Sequence, residues 1–204
     1  MAKEKAKKKS SLISKLLGIL IILCFVSAGV FIYKYFDDIN SQWDNSEVAL
    51  VDAEKALAAK TDYRKEQPII GTVIGKIKIE GLTGDMPLIE GDDIQLSMAY
   101  GVGHLQDTPM PGTFSGQPAV SAHRETFFRP LKDVKMGDIV TITMPYGKFQ
   151  YRISKKVIAK PNEGEKIFNT EGIEKERIVL ITCYPFAAWT SPDERIAFYA
   201  DLIE

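Results

Sequence analysis

The chain has 204 residues, 45% of them hydrophobic and 26% charged, with a formal net charge of −1. That length suits one compact domain with accessory segments, and two cysteines are too few for a disulfide framework. Ordinary apolar and charged fractions exclude global disorder, and near-neutrality argues against a general nucleic-acid binder.

Charge is uneven along the chain. Residues 1–15 hold six lysines against one acid, Glu4. The next 18 residues, 16–33, carry no charge. As a helix rising ~1.5 Å per residue they span about 27 Å, close to the ~30 Å hydrocarbon core of a bilayer. Leu12, Ile13, Tyr35 and Phe36 extend the apolar reach. No polar face interrupts the run, as one would in a helix buried in a soluble domain. Lysines precede the span, while Asp37 and Asp38 follow it. The positive-inside bias therefore predicts a cytoplasmic tail (1–15), a transmembrane anchor (16–36) and an extracellular remainder. A cleaved signal peptide is the competing reading, because Val26-Ser27-Ala28 resembles a small-residue cleavage site. The apolar run continuing through Val30-Phe31-Ile32-Tyr33 favours the anchor. Both readings export the domain.

Residues 37–67 read as an extracellular helical stalk and linker. Within them, 38–60 is Ala-rich, with Val48, Val51, Ala56 and Leu57 loosely at helical spacing. A solvated stalk holding the domain off the membrane is the expectation. Beyond Pro68 the period changes to two. Strands are expected at 73–79, 86–89, 118–122, 139–144, 148–159, 178–183 and 195–203. Asp92 or Asp93 is placed to cap a short helix through about Ala99. Residues 100–117, rich in Gly and Pro, read as a loop. A helical turn is expected at 126–131, a turn at Met136-Gly137-Asp138, and a hairpin around Pro145-Tyr146-Gly147. Seven or eight short strands with few helices imply a mainly β domain over 68–204, an antiparallel barrel or sandwich.

Few residues outside the span have chemistry to offer. There are two histidines, His104 and His123, and one cysteine, Cys183. An exported domain with a single thiol closes no internal disulfide. Cys183 is then inert and buried, an intermolecular crosslink, or a reactive thiol. Its position favours reactivity, because it ends an apolar strand that Tyr184-Pro185 breaks at once. Strand ends opening onto loops are where a rigid scaffold aims functional groups. His123 ends the run Ala119-Val120-Ser121-Ala122. Arg195 begins the last strand and alternates with Ile196, Phe198 and Leu202, so it points away from their face. A thiol, an imidazole to take its proton, and a guanidinium to hold an oxyanion make a coherent nucleophilic set. His104, in a Gly-flanked loop without a rigid mount, reads as a structural or rim histidine.

The ordered motifs resemble the sortases, membrane-anchored cysteine transpeptidases of Gram-positive bacteria. Gly103-His104-Leu105 and Pro111-Gly112 are similar to the loop before the family's histidine strand. Ser121-Ala122-His123-Arg124, followed by Phe128, Leu131 and Gly137-Asp138, resembles the histidine motif. Leu180-Ile181-Thr182-Cys183 resembles the cysteine motif, with Arg195 at the expected distance. Ala122 stands where the family usually has Gly, and Val179 where it commonly has Thr. The resemblance covers about 68–203 and implies a closed β-barrel of seven to eight strands with short helices. It also implies the reaction: Cys183 cleaves a Leu-Pro-x-Thr-Gly sorting signal between Thr and Gly through a thioester. The acyl group then passes to a peptidoglycan precursor amine, anchoring surface proteins to the cell wall. His123 is then the general acid and base, and Arg195 supports substrate and oxyanion. Ile181, Thr182 and Tyr184 contact the substrate, and the loops 160–177 and 184–194 flank the groove. Cys183-Tyr184-Pro185-Phe186 with an N-terminal anchor looks most like class D, with class A next. No cofactor is required, although some sortases bind calcium. Asp85, Asp92, Asp93, Glu163, Glu165, Glu171 and Glu174 are the oxygen ligands available here. The rival readings are an exported cysteine hydrolase using the same trio and a non-catalytic surface-binding module with an inert Cys183.

Overall fold

The computed structural model describes residues 2–93, 97–187 and 192–203, with the side chains of the first helix described from Ser14 onward. The central part of the helix expected before Ala99, residues 94–96, lies outside the described residues, as do residues 188–191 of the loop 184–194. The chain forms two compact units, Met1–Ser41 and Gln42–Glu204. Helix α1 (Ala2–Ala59) supplies the first unit and the opening of the second. In the first unit it is long and apolar enough to cross a membrane by length and composition. Its large side chains, including Leu16, Phe25 and Phe31, are exposed.

In the second unit α1 is not a solvated stalk. Ser46, Ala49 and Ala53 are buried, three and four residues apart on one face. The expected apolar face was a different one: Val48 and Val51 are mostly exposed. Small residues let the helix approach closely, and flanking groups fix it there. The Trp43 ring meets Phe127 edge-on at 5.1 Å. Thr126 Oγ1 donates to Gln42 Oε1 at 2.9 Å, and Lys76 Nζ donates to Glu54 Oε1 at 2.6 Å.

Eight strands follow: β1 (Val73–Ile79), β2 (Met86–Glu90), β3 (Val102–His104), β4 (Ala119–Ser121), β5 (Ile139–Met144), β6 (Gly147–Ala159), β7 (Arg177–Tyr184) and β8 (Glu194–Leu202). A 3-10 turn (Arg129–Asp133) and a short helix α2 (Glu165–Phe168) lie between them. The strands close into a barrel in the order β1-β2-β3-β4-β7-β8-β6-β5. The barrel is mixed rather than antiparallel, because β2 pairs with β3, and β4 with β7, in parallel. Strand β3 lies inside the stretch expected to be loop. Its three residues are all buried, but three residues beginning Val-Gly carry no readable alternation.

The barrel has two apolar faces. Ile178, Leu180, Ile196, Phe198 and Ala200 point inward with Leu88, Ile142 and Tyr151. Val179, Ile181, Ala197 and Tyr199 point outward and are covered by Ile167 of α2. Both faces of β7 are therefore buried, which is why its sequence reads as an unbroken apolar run.

A buried carboxylate pins the loop that leads into β4. Glu176, fully buried, accepts from the backbone N–H groups of Gly112 (2.8 Å) and Phe114 (2.6 Å). It also accepts from Thr113 Oγ1 (3.2 Å) and the Tyr151 hydroxyl. Gly112 has φ +84°, and a Cβ there would meet the Phe149 ring, so only glycine fits. Burial, with the Glu176 carboxylate beside it, raises the Tyr151 pKa and keeps the phenol protonated. Glu176→Ala orphans several buried donors. It is expected to cost about 3 kcal/mol, read as a lower urea midpoint at unchanged slope.

Candidate active site

Register brings the chemistry together. Antiparallel β7 and β8 pair without a shift from Arg177 to Tyr184, which sets Cys183 directly opposite Arg195. Parity puts Cys183 on the outer face with Val179 and Ile181, and Arg195 with Ala197 and Tyr199. On the other side, β4 runs parallel to β7 with Ser121 beside Ile181, so His123 emerges two residues beyond that last pair. His123, Cys183 and Arg195 line one groove of about 470 Å³, together with Ser121, Ile181 and Thr182. Its outward apolar floor is continuous with the cluster under α2. One wall is Lys160, Pro161, Ile167 and Phe168; the other is Asp92, Met98 and Leu105. The groove thus draws on the loop after β6, as expected, and on the segment between β2 and β4, which the sequence did not mark. Volume alone does not single it out. A hollow of about 520 Å³ lined by Lys155, Lys166, Arg177 and Tyr199 is slightly larger, and its lining has no thiol or imidazole.

The site residues differ in how they are held. Cys183 is a free, half-buried thiol. His123 is half-buried, and burial lowers its pKa below the ordinary 6.5, with the nearby Glu125 pulling the other way. The imidazole is therefore favoured in its neutral, proton-accepting form. Arg195 Nη1 donates to the carbonyls of Pro192 (3.2 Å) and Glu194 (3.1 Å). Thr182 is only 3% exposed, and its hydroxyl donates to the Ala122 carbonyl at 2.7 Å. That hydroxyl is committed to the backbone before His123 rather than held out for a ligand. Tyr184 packs against the barrel interior, edge-on to Phe186 at 6.1 Å, and is not among the residues lining the groove.

His104 is fully buried on strand β3, not in a loop. Its Nδ1 lies 2.8 Å from Glu90 Oε2, and its Nε2 lies 3.0 Å from the Pro109 carbonyl and 3.3 Å from Thr108 Oγ1. Both ring nitrogens are occupied by structural partners, and the ring does not line the groove. Among the described residues, no three His, Cys, Asp or Glu side chains gather as a group that could hold a metal ion. The acidic residues considered for calcium therefore do not converge.

Comparison with known proteins agrees with this architecture. The family profile described as a sortase domain matches residues 77–203. A sortase D of Bacillus subtilis (strain 168) is 33% identical over 143 residues, covering 68% of this chain and 70% of that protein. Among solved structures, a sortase D5 transpeptidase of Clostridium perfringens superposes with a TM-score of 0.65 at 22% identity, covering 79% of this chain and 99% of that one. Sortase A of Corynebacterium diphtheriae gives a TM-score of 0.59 at 21% identity, covering 82% and 93%. At these identities the superpositions establish a shared fold.

Two outcomes follow from the histidines. His104→Ala leaves Glu90 buried without its partner and is expected to destabilise the domain by about 3 kcal/mol in urea unfolding. For His123 the folded-state pKa lies below the unfolded one, so the unfolded chain takes up a proton first as pH falls. The stability this contributes is complete above about 6.5 and is lost as pH drops towards the folded value. His123→Asn is expected to remove that component, so the stability gap between the two proteins changes between pH 7.5 and 5. A gap constant across that range refutes this.

Proposed function

The chain belongs to the sortase family of cysteine transpeptidases, and from that membership we propose that Cys183, His123 and Arg195 carry out the transfer. The observation that carries the assignment is the register setting Cys183 opposite Arg195 on the groove that His123 also lines. The substrate is a Leu-Pro-x-Thr-Gly type sorting signal laid along the outward face of β7. Cys183 Sγ attacks the Thr carbonyl carbon while its proton passes to His123. Arg195 stabilises the oxyanion, and its planar fork suits that task. His123 returns the proton to the leaving Gly amine as the C–N bond breaks, leaving a thioester. An amine of a peptidoglycan precursor then attacks the thioester, giving its proton to His123. The new amide forms, and Cys183 leaves as the thiol with that proton. The neutral imidazole favoured by burial supports His123 as the base.

The assignment to class D draws on the Bacillus subtilis sortase D relative and on Tyr184-Pro185-Phe186 after the nucleophile. The lysine-rich N-terminus and the apolar span favour a single pass, with residues 1–15 cytoplasmic and the barrel extracellular. The partners are then sorting-signal proteins and the cell-wall amine.

Intact-mass spectrometry of the full chain in detergent, with a Leu-Pro-x-Thr-Gly peptide library and an added amine, tests the reading. A thioester on Cys183 and a peptide joined to the amine are expected. Cleavage without ligation to any amine would convert the reading to a hydrolase, and absence of both would reject it. Cys183→Ala is expected to give no adduct. His123→Ala and Arg195→Ala are each expected to lower kcat/KM by about 10²- to 10⁴-fold. Arg195→Lys is expected to recover little, because a point charge does not replace the fork.

A further inference from the structure

We propose that Arg124 is a positioning residue that, with Thr182, clasps the segment carrying His123 to the segment carrying Cys183. The inference rests on the catalytic reading above. Strand β4 ends at Ser121, so His123 lies outside the sheet ladder. Cys183, by contrast, is still paired with Arg195. A rigid nucleophile thus faces a base mounted on a chain that has just left the barrel. Beyond the ladder, among the described residues, a long backbone contact, Ala122 N–H to the Ile181 carbonyl at 3.4 Å, continues the pairing, and the His123 carbonyl accepts from the Thr126 (3.3 Å) and Phe128 (3.1 Å) N–H groups of its own turn.

Two side chains take over from the ladder, one on each side of His123. Before it, Thr182 Oγ1 donates to the Ala122 carbonyl at 2.7 Å. After it, the Arg124 guanidinium donates through Nη1 to the Pro185 carbonyl, while Nε donates to Glu125 Oε1 at 2.6 Å. The residue before the cysteine thus holds the residue before the histidine. The residue after the histidine holds the backbone two positions beyond the cysteine. Arg124 is only 4% exposed and is absent from the groove lining. A buried guanidinium is costly unless paired, and Glu125 together with a carbonyl meets that requirement. Its position gives it no contact with a substrate in the groove, so it acts through the backbone. Reaction geometry is sensitive on this scale: a displacement of about 1 Å can cost about 10²-fold in rate.

The same contact has an electrostatic side. Among the described residues, Glu125 on its own segment is the charge that acts on His123, and Arg195 on β8, Lys160 after β6, Asp92 after β2 and the Cys183 thiol share the groove with it. Arg124 ties down the one acid that raises the His123 pKa. Without Arg124, that carboxylate is uncompensated, and His123 holds its proton to higher pH.

The test uses the full chain in detergent, well below its melting temperature. Arg124→Met is expected to lower kcat about 10- to 100-fold with KM within about twofold, and to move the acid limb of the rate profile to higher pH. Arg124→Lys is expected not to restore the rate, because one ammonium does not serve Glu125 and Pro185 together. Thr182→Val is expected to lower kcat in the same way, and Thr182→Ser to rescue it. This pair tests the clasp even if the Arg124 variants do not fold. A rise in KM alone would make Arg124 a substrate contact and overturn the proposal. So would an unmoved acid limb with losses explained by the unfolded fraction, or full activity in Thr182→Val. The pH dependence of Cys183 alkylation by iodoacetamide, with NMR titration of His123, reads the same clasp without substrate. If the wild-type chain forms no thioester, the catalytic reading fails while these two measurements still decide the clasp.

Discussion

The site depends on β7 being held from both sides in fixed register. Its antiparallel partner β8 sets Arg195 across from Cys183, and its parallel partner β4 delivers His123 to the same end. Slipping either pairing by one residue would turn every side chain of the moved strand to the opposite face and separate the three groups. The register is strongly specified because both faces are apolar. Ile178 and Leu180 are committed to the barrel interior, and Val179 and Ile181 to the layer under α2. Burial of the strand and alignment of the chemistry are one constraint.

Parallel pairing of β4 and β7 requires a long crossover, and residues 122–176 supply it. That crossover includes the β5–β6 hairpin, which closes the barrel, and α2, which roofs the outer cluster. Buried polar groups pin the end of this crossover and the segments before β4. Glu176 secures the Gly112–Phe114 backbone just before β7 begins, and Glu90 with His104 joins β2, β3 and the Pro109 carbonyl. These contacts lie away from the groove, yet they fix the segments from which Leu105 and Ser121 reach it.

The strands and the grouping of His123, Cys183 and Arg195 on one groove were legible in the sequence for related reasons. Strands of five residues or more, rich in β-branched side chains, announce themselves by run length and alternation. Cys183 and Arg195 stood at the ends of such runs, and His123 after the short apolar run Ala119-Val120-Ser121-Ala122. Strand direction leaves no mark on composition, so the two parallel pairings were missed. Strand β3 was missed because Val102-Gly103-His104 is too short to show a period. The docking of α1 was not foreseen: its apolar spacing fell loosely on Val48 and Val51, and a solvated stalk was the expectation. The contact instead needs small side chains, Ala49 and Ala53, that let the helix come close. Thr182 was expected beside the substrate from the resemblance; it does line the groove, and only coordinates reveal that its hydroxyl donates to the Ala122 carbonyl.

The double burial of β7 has a consequence for how the molecule opens. Its amides pair with β4 on one edge and β8 on the other, and its faces meet solvent only at the two ends, at Arg177 and at Cys183-Tyr184. In hydrogen exchange such a strand belongs to the last unit to open, exchanging only with global unfolding. The wall beyond β6 has a different character: Lys160, Pro161 and Phe168 are exposed, and α2 spans a single turn. The Cys183 thiol therefore rides on the slowest-exchanging part of the fold, while the groove wall beyond β6 belongs to a faster one. Substitutions in that wall can reshape the groove without drawing on the stability of the strand that carries Cys183.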